Sequence, residues 1–327
     1  MVFFRFRPMF QGISAFKYSE IIMHAIKSIL VVVDPTVERD FAIDRARQIA
    51  KAAAAKVNLF INSANSLNQH TYMYEGIDPD FFLQQRKLFT SHNRHILEKI
   101  AAEFAAQNIS ATTDFEEKHH LAESIIEQTR KVQADLVIKS THHHNLIQRS
   151  LITNTDWRLI RKCPAPLLLV KPRAWAAAGN IVTAVDPLHA KSEQSRLDHE
   201  LLETTEFLAS SLQQEPHVFH SYFPFVSTLL GAGAEFTEGM ARIREHHADK
   251  IRKLLANHRI ADKNIELSRG ELAPTLIDCL LATNANLLVI GALSRSVMER
   301  AIVGDTAEKI LENSPCDVLV LKPRHKP

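Results

Sequence analysis

The chain has 327 residues, enough for roughly two domains of ordinary size. Its 39 Lys and Arg against 37 Asp and Glu leave a formal charge of +2, too near balance to demand nucleic acid as a partner. No apolar run approaches the roughly 20 residues that cross a bilayer. The three cysteines, Cys163, Cys279 and Cys316, are odd in number and lack ligand spacing, so a cytoplasmic, reducing setting without a membrane is expected.

Residues 1–22 show no clean period and have neither the apolar core nor the cleavage site of a secretory signal. They are expected to be a non-conforming extension, and Met23 offers an alternative start. From Ser28 the pattern alternates strand and helix. Strand 29–33 is followed by an alanine-rich helix from about 38 to 55, strand 57–62, a long helix 80–107, strand 111–115, helix 120–132, strand 135–139, helix 155–162 and strand 167–171. After the linker Trp175 to Gly179 the same order returns. It runs through strand 181–185, helix 193–213, strand 217–221, helix 236–257, strand 264–268, helix 271–283, strand 287–291, helix 305–313 and strand 317–322.

The second series is a copy of the first. Residues 139–173 align with 290–324 without a gap: Arg149 meets Arg300, Thr155 meets Thr306, Pro164 meets Pro315, and Lys171-Pro-Arg173 meets Lys322-Pro-Arg324. Upstream, Ile29 through Asp34-Pro35 matches Ile181 through Asp186-Pro187. A period this long marks two domains, expected at 23–174 and 180–327, rather than a solenoid. Alternating strands and helices imply an α/β fold: two tandem doubly wound, five-stranded parallel sheets related by a pseudo-twofold axis. The closing strands, Leu167 to Val170 and Val318 to Leu321, come last and are too apolar for a bare edge, so 167–171 is expected beside 318–322. That pairing should leave two sheets rather than one merged sheet, and a chain that needs no partner copy beyond monomer or weak dimer.

These residues resemble the universal stress protein family. The resemblance rests on the strands ending in Asp34 and Asp186, the late strand ending in Gly291, the spacing to Gly304-Asp305-Thr306 and the closing Pro-Cys-Asp-Val-Leu-Val-Leu-Lys-Pro. It covers about 28–324. The tandem arrangement, with Asp156 through Pro164 in the first half, is similar to a tandem type among its bacterial members. The resemblance implies a cytoplasmic role in surviving stress, resistance to DNA damage included, and no established enzymatic reaction.

Nucleotide-binding members carry Gly, two residues, Gly, nine residues, Gly, then Ser or Thr. Glycines let the backbone approach phosphates, and a following helix start adds partial positive charge. In the second half the matching positions are Gly291, Ser294, Gly304 and Asp305, with Thr306 next and Arg295 beside Ser294. Two glycines remain; the Asp305 carboxylate would repel a phosphate but also reads as a helix cap. In the first half the positions are Ser140, His143, Thr153 and Asn154, every glycine is gone, and Asn154 or Thr155 reads as a cap. By resemblance Asp34 and Asp186 face a nucleoside, although each also fits a turn with its following proline. The expected ligand site is therefore Asp186, Gly291, Ser294, Arg295, Gly304, Asp305 and Thr306, taking ATP or another small phosphate-bearing or amphipathic molecule by binding rather than turnover.

Adjacent histidines, His119-His120, His142 to His144 and His246-His247, point in different directions on a regular element, so solvated side chains are expected rather than a metal site. The apolar stretch Tyr222 to Ala234 reads as packing on the neighbouring domain or as a lid. No nucleophile-base or paired-carboxylate pattern of a hydrolase stands out, and slow nucleotide hydrolysis would have only Asp186 and Asp305 to draw on. The alternative is an interaction scaffold with vestigial pockets.

Overall fold

The structure, a computed structural model, describes residues 26–63, 79–117, 120–141, 152–188, 193–223, 234–292 and 305–322. The amino-terminal extension, Ser294, Arg295, Gly304, the 142–144 histidines and most of the 222–234 stretch lie outside them. Among the described residues the first half contains β1 (Ser28–Val32), α1 (Phe41–Ala53), β2 (Lys56–Asn62), α2 (Pro79–Ala105), β3 (Ala111–Glu116), α3 (Leu121–Lys131), β4 (Leu136–Ser140), α4 (Asn154–Lys162) and β5 (Leu167–Val170). The second contains β6 (Asn180–Ala184), α5 (Glu193–Leu212), β7 (Glu215–Tyr222), α6 (Ala234–Leu255), β8 (Ile265–Arg269), α7 (Leu272–Ala282), β9 (Ala285–Gly291), α8 (Asp305–Asn313) and β10 (Asp317–Leu321).

The strand order is β3-β2-β1-β4-β5-β10-β9-β6-β7-β8. Every pair is parallel except one, β5 against β10, where Leu169, Leu168 and Leu167 face Val318, Leu319 and Val320. The two apolar closing strands thus cover each other, as their composition demands. Each half keeps its own five parallel strands, but the expectation of two separate sheets is corrected. Ladder bonds across β5 and β10 make them one continuous sheet, because a strand paired on both sides has no edge left.

Side chains alternate across the sheet. Leu168 and Val170 join a core with α1, α2 and α5, whereas Leu167 and Leu169 join the opposite core with α3, α4, α7 and α8. Both cores run through both halves. The seam also has a polar centre. Arg45 of α1, only 1% exposed, places Nε 2.7 Å from Oδ2 of Asp317 at the start of β10. The same carboxylate accepts from the Lys171 amide (2.8 Å) and the Trp175 indole (2.7 Å), and the Arg45 guanidinium stacks 4.2 Å from the Trp175 ring. Burial pushes the Asp317 carboxyl up, and the Arg45 charge and three donors pull against that shift.

Two equivalent lysines close the seam reciprocally. Lys171 Nζ reaches Leu311 O in the last turns of α8, and Lys322 Nζ reaches Leu159 O and Cys163 O at the end of α4. Each ammonium satisfies carbonyls left open at the other half's helix terminus. Burial lowers both lysines to about 8.

Removing one member of the Arg45–Asp317 pair strands the other charge. Asp317→Ala and Arg45→Met should each cost about 3–5 kcal/mol in urea denaturation of the full chain. Arg45→Met with Asp317→Asn should cost clearly less than the sum of the two single changes.

Candidate functional site

The ligand crevice of a doubly wound sheet opens where the strand order reverses, at the carboxyl ends of the strands. In the second half that point lies between β6 and β9, which pair through Thr183 and Val289. Asp186 follows β6 and Gly291 ends β9, so the structure brings these two expected residues to one crevice. Asp305 and Thr306 are the first two residues of α8, both exposed, and their amides belong to the group with no partner inside the helix. A Cβ built on Gly291 would meet Leu197 Cδ2 at 2.7 Å. A side chain at this position would push on the Leu197 tip, so the glycine suits the close approach of α5 to β9.

The first half has the same frame with different contents. At the Gly291 position, Ser140 donates its hydroxyl to Asp40 Oδ1 and accepts from the Ala42 amide at 3.2 Å. Asp40 caps α1 through that amide and accepts from the Asp34 amide at 3.0 Å. At the Gly304 position, Thr153 is the cap of α4, in a box where Asp156 receives the Thr153 amide at 2.8 Å. The expectation that Asn154 or Thr155 caps this helix is thus corrected: the carboxylate at the third helical position selects the residue three before it. Lys139, in place of Ile290, puts its ammonium 2.9 Å from Asp156 Oδ1 as a buried ion pair and donates to Ser140 O. The contact is an ion pair off the hydrogen-bond direction, since Asp156 Oδ1 itself lacks a hydrogen-bond donor. Asp34 accepts from the Thr36 amide and hydroxyl at 2.7 and 2.6 Å, a turn closed on itself. Among the described residues, the polar groups at this strand end and helix start are thus bonded to one another.

The sequence profile described as "Universal stress protein family" matches residues 25–171 and again 179–322. The chain belongs to the universal stress protein family. Curated relatives include Universal stress protein E of Photorhabdus laumondii, 26% identical over 305 residues covering 91% of this chain and 95% of that one. Universal stress protein E of Escherichia coli K12 is 25% identical over 307 residues, covering 92% and 95%. Among solved structures, a functionally unknown protein, PA1789, from Pseudomonas aeruginosa PAO1 shares the fold with a TM-score of 0.74 at 24% identity, covering 92% of this chain and 94% of that one.

In this universal stress protein, the carboxyl ends of β6 and β7 carry further groups that the sequence reading left aside. Asp198 of α5 is buried and, among the described residues, accepts a 3.3 Å bond from the Asp186 amide; burial pushes its carboxyl up to about 7. The counterpart carboxylate, Asp40, has the Ser140 hydroxyl and two amides; Gly291 offers no hydroxyl in place of that serine, and Asp198, inside α5 rather than at its cap, has no helix-start amide. His220 of β7, 5% exposed, bonds Val185 O at 3.0 Å through Nδ1 and His247 Nδ1 at 2.8 Å through Nε2. The expectation that His246-His247 is solvated holds for exposed His246 and is corrected for His247, whose ring stacks on His220 at 5.0 Å between centroids. A histidine amid the apolar residues of Val218-Phe-His220 was the signal. Among the described residues no group of three or more His, Cys, Asp or Glu is arranged to hold a metal, and no helix is long and apolar enough to cross a membrane.

Because the folded chain holds Asp198 protonated up to about pH 7 while the unfolded chain ionises it near 4, stability conferred by this group declines as pH rises between those values. Asp198→Asn keeps the acceptor and removes the charge. Its melting temperature should exceed that of the wild type by several degrees at about pH 8, with a smaller gain at about pH 5, in calorimetric scans of both proteins.

Proposed function

We propose that this universal stress protein works by binding a small molecule, ATP or another nucleotide or an amphipathic metabolite with a phosphate, in its second domain. Binding rather than turnover would then change its conformation or partners in the cytoplasm. The observation that carries the reading is the contrast between the halves at one position. Ser140 seals the first crevice by reaching Asp40, whereas Gly291 leaves the second without that bridge.

The remaining support comes from the chemistry of the donor set. Asp305 and Thr306 bring amides at the start of α8, and Ser294, Arg295 and Gly304, which lie outside the described residues, would by resemblance add a hydroxyl, a guanidinium and a further amide. Together they offer a phosphate backbone donors, one hydroxyl donor and one charge. Asp186 accepts a 3.4 Å bond from the Leu188 amide, a looser turn than that of Asp34, and its carboxylate suits the hydroxyls of a ribose. Domains 23–174 and 180–327 divide the labour in this reading: the first half supports, the second half binds.

Isothermal titration of the full chain with ATP, AMP and other nucleotides tests the reading. Binding should be seen for at least one of them, weakened about tenfold or more by Asp186→Ala or Arg295→Ala, since each removes a charged contact worth roughly 1.5–3 kcal/mol. Ser140→Ala in the first half should leave the affinity unchanged. Silence from every nucleotide would reject nucleotide sensing. Survival of DNA-damaging conditions is the cellular readout for the same variants.

A further inference from the structure

The two halves let one helix seam be compared with its own copy. Val33 donates to Phe60 O in the first half and Val185 donates to Phe219 O in the second, so Phe60 and Phe219 are equivalent and the next residues, Ile61 and His220, occupy one place. Ile61 is fully buried with Leu59 against Leu97, Ile100 and Phe104 of α2. In the second half Val218 and His220 occupy the corresponding strand positions, and α6 presents His247, Ile251 and Leu255, four apart along one stripe. Ile251 and Leu255 are the buried apolar residues of α6 in that core among the described residues, with Leu254 partly buried beside them, and the imidazole pair adds a hydrogen bond from this helix to β7. Beyond the end of α6, His258 meets His199 of α5 at 3.0 Å.

The proton positions follow from the acceptors. Val185 O can only accept, so His220 carries its proton on Nδ1 and its Nε2 must accept from His247 Nδ1. Between the facing nitrogens there is room for one proton, and a pair carrying two must part. The groups around it are the Asp186 carboxylate, with Asp198 bonded to the Asp186 amide, His246 of α6, and Tyr222, whose ring lies 5.2 Å from that of His247. On β8 the residue opposite His220 is Leu267, with Glu266 and Arg269 opposite its neighbours Phe219 and Tyr222. The other pair is built differently. Glu206 accepts from His258 Nδ1 at 3.2 Å and from the Arg259 amide, so a carboxylate joins this pair to the segment after α6. Other charged residues of α5 near that end in sequence are Arg196, Glu200 and Glu203.

From this geometry we infer that the His220–His247 pair is an acid-released latch: at neutral pH it holds α6 against β7, and in acid α6 lifts there while Glu206 retains its far end through His258. The equivalent helix α2, latched by Ile61, stays in place. Burial lowers His220, and burial with the adjacent His220 and His246 charges lowers His247. The unfolded or opened state therefore binds more protons than the closed one below about pH 6.5, and closure loses stability as pH falls through that value. Asp186 opposes this by favouring charge on both rings. Asp198 gains its proton over the same range with the opposite effect on stability, but it is held by α5 and its protonation adds no charge beside the latch.

Hydrogen exchange of the full chain, corrected for the intrinsic pH dependence of exchange, reads the latch at about pH 7.5 and about pH 5.5. Protection of α6 should fall about tenfold more than that of α2 in the wild type, and the two helices should change alike within about twofold in His220→Ile/His247→Leu. Equal changes in both helices of the wild type, or an excess loss that persists in the variant, would overturn the inference. Should that variant not fold, imidazole titration of the wild-type protein by NMR decides. Two rings that titrate at or above about 6.5 while α6 stays protected sink the latch, and suppressed titration of His220 and His247 coincident with loss of α6 protection supports it.

Discussion

A carboxylate with three donors at the middle of a ten-stranded sheet constrains the whole molecule. Asp317 starts the last strand, yet its partners come from α1, from the first residue after β5 and from the linker. A buried charge left without its partner costs several kcal/mol, so the first helix, the linker and the last strand can be satisfied only in one arrangement. The leucine and valine contacts of β5 and β10 would tolerate a slip of two residues or an exchange of like for like. Arg45 and Asp317 would not, because the position matching Asp317 in the other half is Pro166, which carries no charge. The seam is thus close to twofold in its backbone and its lysine clasps, but it is asymmetric in its charge.

That asymmetry lets the halves diverge. With the closing strands committed to each other, neither crevice has to serve the joining of the domains. In the first, polar groups bond one another: Ser140 to Asp40 across the strand end, Thr153 with Asp156 at the helix start, and Lys139 beneath them. These contacts tie the strand end to the helix starts on either side of it. In the second half Gly291 takes the place of the serine, Asp198 loses a donor, the His220–His247 pair stands where the first half has Ile61, and His199 and His258 form a second imidazole pair. Every one of these changes leaves a titratable or open group where the first half has a closed one. The domain with weaker internal satisfaction is the one suited to respond to something outside itself.

Much of this was readable in the chain before folding. Apolar runs and helical periods placed the strands and helices within a few residues, since burial on both faces forces β-branched and leucine runs to be short and bounded. The pairing of 167–171 with 318–322 followed from the cost of an uncovered apolar edge. At the site, Asp186 and Gly291 were legible as strand ends, and the contrast in glycine content between the halves was visible at once. The Thr153 cap was missed because the deciding residue, Asp156, lies inside the helix. His220 and His247 were missed because a lone histidine in a strand and a pair on a helix say nothing until β7 and α6 are laid together.

The sequence alone therefore determined the duplication, the alternation of strand and helix, the family and the end of the sheet where a ligand belongs, all of which rest on local pattern or on spacing that survives alignment. Tertiary structure decided the rest. Arg45 meets Asp317 across more than two hundred residues, Leu197 closes on Gly291, and His220 finds His247, contacts set by how helices lie on a twisted sheet rather than by any periodicity. Pattern can say that a position is buried; only the fold says which charge or ring it is buried against.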